Sequence, residues 1–269
     1  MEQLISRFEA LPFVRRVQIH EGVQANDQRV VRFPDGATSL LLRVAAEGAT
    51  SLHVAGPRTG AWSKMLPPAH LLCHVEFGLG WAQLVLGVSP RELVDRVVPL
   101  DELWGTAAHK LSGQVSALAA SRDCVAQLGA GLIEQAQRSR ATGSAVLGRR
   151  AIRLVEQGRG RKPVHAIAAQ LQITPRHLRR VFAELVGITP KEYSRMVRLQ
   201  HALRSMQEGW SLARTASASG YYDHAHLVAE VRALTGLTPR QLAHTIGPGD
   251  TSCPPSELLT VSARPPYSK

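Results

Sequence analysis

The chain has 269 residues, 44% of them hydrophobic, and carries a formal net charge of +11. That length accommodates two domains with a buried core each, and the ordinary apolar fraction excludes wholesale disorder. No stretch approaches the ~18–20 uncharged apolar residues of a membrane span, and the opening MEQLISRFEALPFVRR lacks the basic-then-apolar order of a signal peptide. The three cysteines, Cys73, Cys124 and Cys253, are odd in number and far apart. A cytoplasmic protein without a disulfide framework is expected.

The charge is segregated. Residues 1–140 hold 14 Lys/Arg against 13 Asp/Glu, residues 141–247 hold 16 against 6, and the last 22 residues hold two of each. A compact basic segment beside a neutral one implies a polyanionic partner, nucleic acid first, against the plainer reading of a solvated basic surface.

In chain order, residues 13–77 read as short strands. VRRVQIH, TSLLLRV, TSLHVAG and LLCHVEF are rich in β-branched residues and Leu, and Glu21-Gly22, Pro34-Asp35-Gly36, Glu47-Gly48 and Thr59-Gly60 punctuate them. This spacing predicts a small barrel or sandwich. From about residue 82 the pattern turns helical, and Val125, Leu128 and Leu132 make one apolar stripe. That helix, near 122–136, suits packing on its own β-domain or a dimer seam. RSRATGS at 138–144 reads as a linker. Residues 145–246 then read as all helix, starting with a Leu147, Ala151, Leu154, Val155 stripe. The tail from Pro248 has five prolines and little periodicity, so disorder is expected there.

An internal repeat lies in the basic half. HLRRVFAELVGITP begins at His177 and HLVAEVRALTGLTP at His226. Ile167-Ala168 corresponds to Thr215-Ala216 with an offset shorter by one residue, so the second unit has a longer turn. Each copy reads as helix, tight turn, helix. In the first, small Ala168 and Ala169 permit a close helix crossing, Thr174 is an N-cap and Pro175 stands at the first helical position. Leu178, Val181, Phe182 and Leu185 form the buried stripe, Gly187 a left-handed C-cap, and Thr189 with Glu192 a capping box for the next helix. In the second, Gly220 supplies the turn, Asp223 the N-cap and Leu227, Val231 and Leu234 the stripe. Between the copies, Pro190 to Met206 reads as one helix about 25 Å long. A rod of that length holds two groove-reading helices about one DNA turn, ~34 Å, apart.

The unburied face of the first copy's second helix carries Arg176, His177, Arg179 and Arg180. An α-helix fits the major groove with its N-terminal residues at base edges, and arginine binds guanine bidentately. Arg195, Arg198 and Arg204 on the joining helix are candidates for phosphates or for water.

These residues resemble the AraC/XylS family of bacterial regulators. The resemblance rests on IAAQLQITPRHLRRVFAELVGITP at 167–190 and TASASGYYDHAHLVAEVRALTGLTP at 215–239 and covers roughly 145 to 246. It implies tandem helix-turn-helix units joined by a linker helix, with recognition helices at Pro175–Val186 and His224–Thr235. Thr174, Arg176, His177, Arg179, Arg180, Arg198, His224 and His226 are the implied DNA-contacting set. The partner implied is double-stranded promoter DNA, with RNA polymerase and a small-molecule effector as further candidates, and with the protein a monomer or homodimer. The second recognition helix departs from the family pattern: Ala229 stands where Arg is frequent, Val231 where Phe is usual, and its exposed start is His224, Ala225 and His226. Such a helix positions the protein on the backbone more than it reads bases.

VVRFPDGATSLLL, VAGPRTG and LGVSPRELVDRVVPLDELWG are similar to a cupin-like sensing domain of some family members. The expected fold class is α+β: residues 1–105 a β-rich, cupin-like barrel or sandwich with helices, 106–144 a helical connector, 145–246 an all-α tandem helix-turn-helix domain, and 247–269 a disordered tail. His70, His74 and Glu76 invite a metal reading, but the close His-x-His pair of metal-binding cupins is missing, so no metal or cofactor is expected. Cys73 in LLCHV reads as a small core residue. No GxSxG, Walker A or GxGxxG motif supports catalysis. The alternative from another class is a cupin-like enzyme with an appended DNA-binding region.

Overall fold

The computed structural model describes residues 2–23, 28–65, 67–139, 143–246 and 259–262. The chain opens with α1 (Glu2–Glu9), then β1 (Val14–Val23), β2 (Gln28–Arg32), β3 (Ser39–Val44), β4 (Thr50–Ala55), β5 (Trp62–Met65) and β6 (Ala69–Phe77). After α2 (Ala82–Leu86) and a 3-10 turn at Pro90–Leu93 come β7 (Val97–Pro99), α3 (Asp101–Trp104), α4 (Thr106–Ala117) and α5 (Asp123–Arg138). The basic half is α6 (Gly143–Gln157), α7 (Val164–Gln170), α8 (Pro175–Val186), α9 (Pro190–Gln207), α10 (Leu212–Ala218), α11 (His224–Thr235) and α12 (Pro239–Ile246), and β8 (Leu259–Ser262) follows.

The strands form two sheets, a five-stranded one in the order β1-β6-β3-β4-β7 and a three-stranded one in the order β5-β2-β8. All recorded pairings are antiparallel. Of the two expected architectures, the open sheets resemble the sandwich and not a closed barrel. Period-two alternation explains why. Leu40, Leu42, Val44, Cys73, Val75 and Phe77 point into one core, while Leu41, Arg43, Leu72 and His74 on the opposite face line a cavity shared with Arg32, Trp62 and Lys64 of the smaller sheet.

The main core closes on helices. Leu111, Val115, Cys124, Val125, Leu128 and Leu132 pack with the β3 and β6 side chains in one cluster. The region expected to be a helical connector from residue 106 thus packs on the strands through α4 and α5, and of the two roles open to the second of these helices, its buried stripe packs on the β-sheet side. The expected linker keeps only residues 140–142 outside the described set. Leu259–Ser262, within the segment expected to be disordered, is a strand paired with β2 in the register Gln28↔Ser262 to Val31↔Leu259. The rest of that tail, with Cys253, lies outside the described residues.

Two further cores occupy the basic half. Ala151, Val155, Ile167, Leu178, Val181 and Phe182 hold α6, α7 and α8 together with the start of α9. Leu203, Ala216, Tyr221, Leu227, Val231 and Leu242 do the same for the end of α9 and α10 to α12. Phe33, from the end of β2, belongs to this last core and is 1% exposed.

Candidate nucleic-acid interface

The turn before α8 is built as the sequence requires. Thr174 is extended, its hydroxyl accepts from the His177 N–H at 3.2 Å, and Pro175 occupies the first helical position. Such a cap is worth ~1 kcal/mol. The apolar stripe Leu178, Val181, Phe182 and Leu185 is buried, which turns Arg176, Arg179 and Arg180 outward, all exposed. Among the described residues no carboxylate forms an ion pair with these three arginines. His177 is half-buried, and its Nδ1 lies 3.1 Å from the Arg180 guanidinium. The helix thus presents three uncompensated guanidinium groups in its first two turns, where the macrodipole also favours an anion.

The second unit is capped by Asp223, whose carboxylate accepts from the His226 N–H at 2.7 Å. His226 faces inward as well as out: its Nδ1 accepts from the Tyr222 N–H at 3.3 Å, and its ring stands edge-on to Tyr221 at 5.4 Å. The imidazole that the sequence nominates for DNA contact therefore also holds the turn. His224, Ala225 and Ala229 are exposed, a thinner polar face than that of α8.

Between the units runs α9, 18 residues long and opened by a capping box in which Thr189 and Glu192 each accept from the other's N–H. Arg195 donates from Nε and NH2 to Glu230 Oε2, at 3.1 and 2.9 Å, pinning α9 to α11. Arg198 is half-buried. It donates to the Gly160 carbonyl at 3.1 Å, and its guanidinium lies 5.7 Å over the Tyr221 ring. Burial pushes the Tyr221 hydroxyl up to about 12, with the Arg198 charge opposing. Arg198 thus differs from the exposed arginines of α8, since its guanidinium touches both units, the Gly160 carbonyl of the first and the Tyr221 ring of the second.

Around Arg195 and Arg198 opens a cleft with cationic walls at Arg161, Lys162 and Lys191, lined also by His226 and Glu230. His201, also on α9, is pushed down first by burial and then by the charges of Arg159, Arg204 and Arg161. Arg161, Lys162, Lys191 and Tyr222, the last 93% exposed, were not singled out from the sequence. The signals were there, in RGRK at 159–162 and in the second tyrosine of GYYDHAHL. Neither stands on a recognition-helix face, so neither enters a helical-face argument.

The residues that invited a metal reading are exposed or have partners of their own. His70 is exposed, His74 Nδ1 lies 3.2 Å from Gln18 Oε1, and Glu76 accepts from Arg15 at 3.2 Å. Cys73 is buried in the core, and burial pushes its thiol up to about 12.

A family model described as a helix-turn-helix domain matches residues 167–245. Those residues run from α7 to α12 and so take in both helix, turn, helix units. The chain is 30% identical over 96 residues to the bifunctional transcriptional activator/DNA repair enzyme Ada of Escherichia coli, a match over 35% of this chain and 26% of that protein. The chain therefore spans about a quarter of the length of that relative, and the match lies in the helix-turn-helix region. An AraC-type regulator structure from Chromobacterium violaceum is 25% identical over 38% of this chain and 94% of its own, with a TM-score of 0.36. A ToxT structure from Vibrio cholerae is 12% identical over 88% of this chain and 95% of its own, with a TM-score of 0.41. Within the matched helix-turn-helix region, α8 and α11 are the second helices of the two units, and α9 is the helix between them.

Proposed function

We propose that this protein is a sequence-specific transcription regulator that lays α8 and α11 into adjacent major-groove segments of promoter DNA. The observation that carries this reading is the exposed row Arg176, Arg179 and Arg180, without ion-pair partners among the described residues, at the start of a capped helix in an AraC-type domain. In this reading both helices read bases, α8 strongly through its arginines and α11, with its small exposed side chains, more weakly. The cleft residues Arg161, Lys162 and Lys191 take phosphates, adding affinity without sequence preference.

The amino-terminal domain is the sensor. Its cavity of about 270 Å³ has apolar walls at Leu41, Leu72 and Val97 and cationic ones at Arg43 and Lys64. The buried Nε of Arg43 has no hydrogen-bond partner, a state that favours a ligand with an acceptor group. His74, which also lines the cavity, is engaged with Gln18, which weighs against the enzyme reading.

The test is selection of genomic DNA fragments by the full chain against excess nonspecific competitor. Enrichment of a shared site with two half-elements about one helical turn apart is expected. Sequence-blind binding that merely falls with salt would overturn the reading.

A further inference from the structure

We infer that the amino-terminal domain fixes the two recognition helices relative to each other, and so sets the half-element spacing that the protein accepts. The inference rests on the reading of α8 and α11 as groove-reading helices and adds a positioning role for Phe33 and Gly36, far from the DNA-binding segment in sequence.

One short loop touches both units. Phe33 is buried in the core of the second unit with Leu203, Tyr221 and Leu227. Three residues on, Gly36 faces the first unit: a Cβ there would lie 2.9 Å from Val186 Cγ1 and 3.1 Å from the Tyr193 ring. The loop between them is stiff. Arg32 and Asp35 form a buried pair with contacts of 2.8 and 2.7 Å. Arg32 also donates to the Ala37 carbonyl at 2.7 Å, and Asp35 accepts from the Ala37 N–H at 3.1 Å. Asp35 and Arg58 exchange backbone hydrogen bonds at 3.0 Å in both directions. A buried, bidentate, backbone-anchored ion pair holds one geometry.

The same domain grips both recognition helices from behind. Ser89 Oγ donates to the Glu184 carbonyl at 2.8 Å near the end of α8, and the Ala61 N–H donates to the Leu234 carbonyl at 3.1 Å near the end of α11. Both carbonyls are among those a helix end leaves unpaired. The N-terminal ends, which carry the outward-facing residues, stay open. The α9 rod and the Arg195–Glu230 pair join the units directly, and the 33–36 loop is a second brace across them. Two braces at different points remove the rotation that one alone leaves. Because Arg32 also lines the sheet-to-sheet cavity, the brace is where ligand occupancy would reach the DNA-binding helices.

The test uses the full chain, with the variants F33A, F33L and G36A, on a panel of duplexes carrying the selected half-elements. Their separation is stepped by single base pairs around one turn of ~10.5. The readout is the affinity at the best spacing divided by that one and two base pairs away, which a general loss of folded protein does not move. Wild type and F33L should share a sharp ratio, and F33A and G36A should flatten it by about tenfold. Should F33A fail to fold, G36A decides. An unchanged ratio in G36A and folded F33A, with all spacings weakened equally, overturns this inference alone. Absence of any two-part site for wild type overturns it together with the reading it rests on.

Discussion

The backbone N–H of Ala61, in the loop before β5, donates to the carbonyl of Leu234 at the end of α11 across 3.1 Å. Its counterpart at α8 is the Ser89 hydroxyl on the Glu184 carbonyl. The C-terminal end of a helix leaves carbonyls to be satisfied elsewhere, and at α8 and α11 the amino-terminal domain supplies a donor to one of them.

The seat at α8 predicts a severe effect at Gly187. That residue has φ +88°, and a Cβ on it would lie 2.8 Å from the Pro90 carbonyl oxygen. Gly187→Ala combines left-handed strain with a backbone clash and should cost ~2 kcal/mol or more. Urea unfolding checks this, and an unchanged midpoint would mean that α8 is not seated on the Pro90 turn.

The basic cleft predicts charge effects without sequence effects. Arg161→Ala and Lys191→Ala should each weaken all sites alike and reduce the slope of log affinity against log salt by about one ion. Binding isotherms at several salt concentrations give the slope. An effect confined to particular base pairs would place these residues in the groove instead.

Arg198 should behave differently from the cleft residues. Its bond to the Gly160 carbonyl and its stacking on Tyr221 mean that Arg198→Ala loosens the joint between the units. Melting temperature and affinity are both expected to fall, the stability loss being ~1–2 kcal/mol. Arg179→Ala, on an exposed face, should leave the melting temperature unchanged. A salt-slope change in Arg198→Ala with no change in melting would make it a simple phosphate contact.

Acid should destabilise the amino-terminal domain. The His74 imidazole is pushed from an ordinary 6.5 down to about 3, first by burial and then by the charges of Arg32, His20 and Arg16. The unfolded chain thus binds a proton that the folded chain refuses between those values. Stability from this group is full above pH ~6.5 and is lost as pH falls toward 3, at ~1 kcal/mol per pH unit. His74→Gln keeps a polar group facing Gln18 and should flatten the variant's own pH-stability curve between pH ~6.5 and 3, so that it is no longer parallel to that of wild type. Parallel curves would contradict the buried, neutral imidazole.

Much of the carboxyl-terminal half was legible because its determinants are local. Thr174-Pro175, Gly187, the Thr189–Glu192 box and the stripe of α8 each lie within one or two helical turns, and the repeat doubles the signal. The amino-terminal half was legible in its long strands, β1, β3, β4 and β6, and less so elsewhere. Phe33 in FPDG reads as the edge of a turn, and nothing near it announces that its ring completes a core around Leu227, almost two hundred residues away. The same holds for β8, whose pairing with β2 is a long-range match of short segments, and for α4 and α5, whose apolar stripes do not say which surface they cover. Among the candidate DNA residues, the exposure of Arg176, Arg179 and Arg180 follows from helical periodicity. The inward roles of Arg198 and His226 depend on Gly160, Tyr221 and Tyr222, and so on the tertiary fold.

The most direct measurement of the central claim is the base preference of the full chain at each position of its selected site, compared with those of Arg176→Ala and Arg179→Ala. Base reading by α8 predicts that each substitution relaxes preference at one or two positions, by ~1–3 kcal/mol of discrimination, while the rest of the profile stays as in wild type. A uniform loss of affinity with every preference intact would contradict it, and would make α8 a backbone contact and not the reader of the sequence.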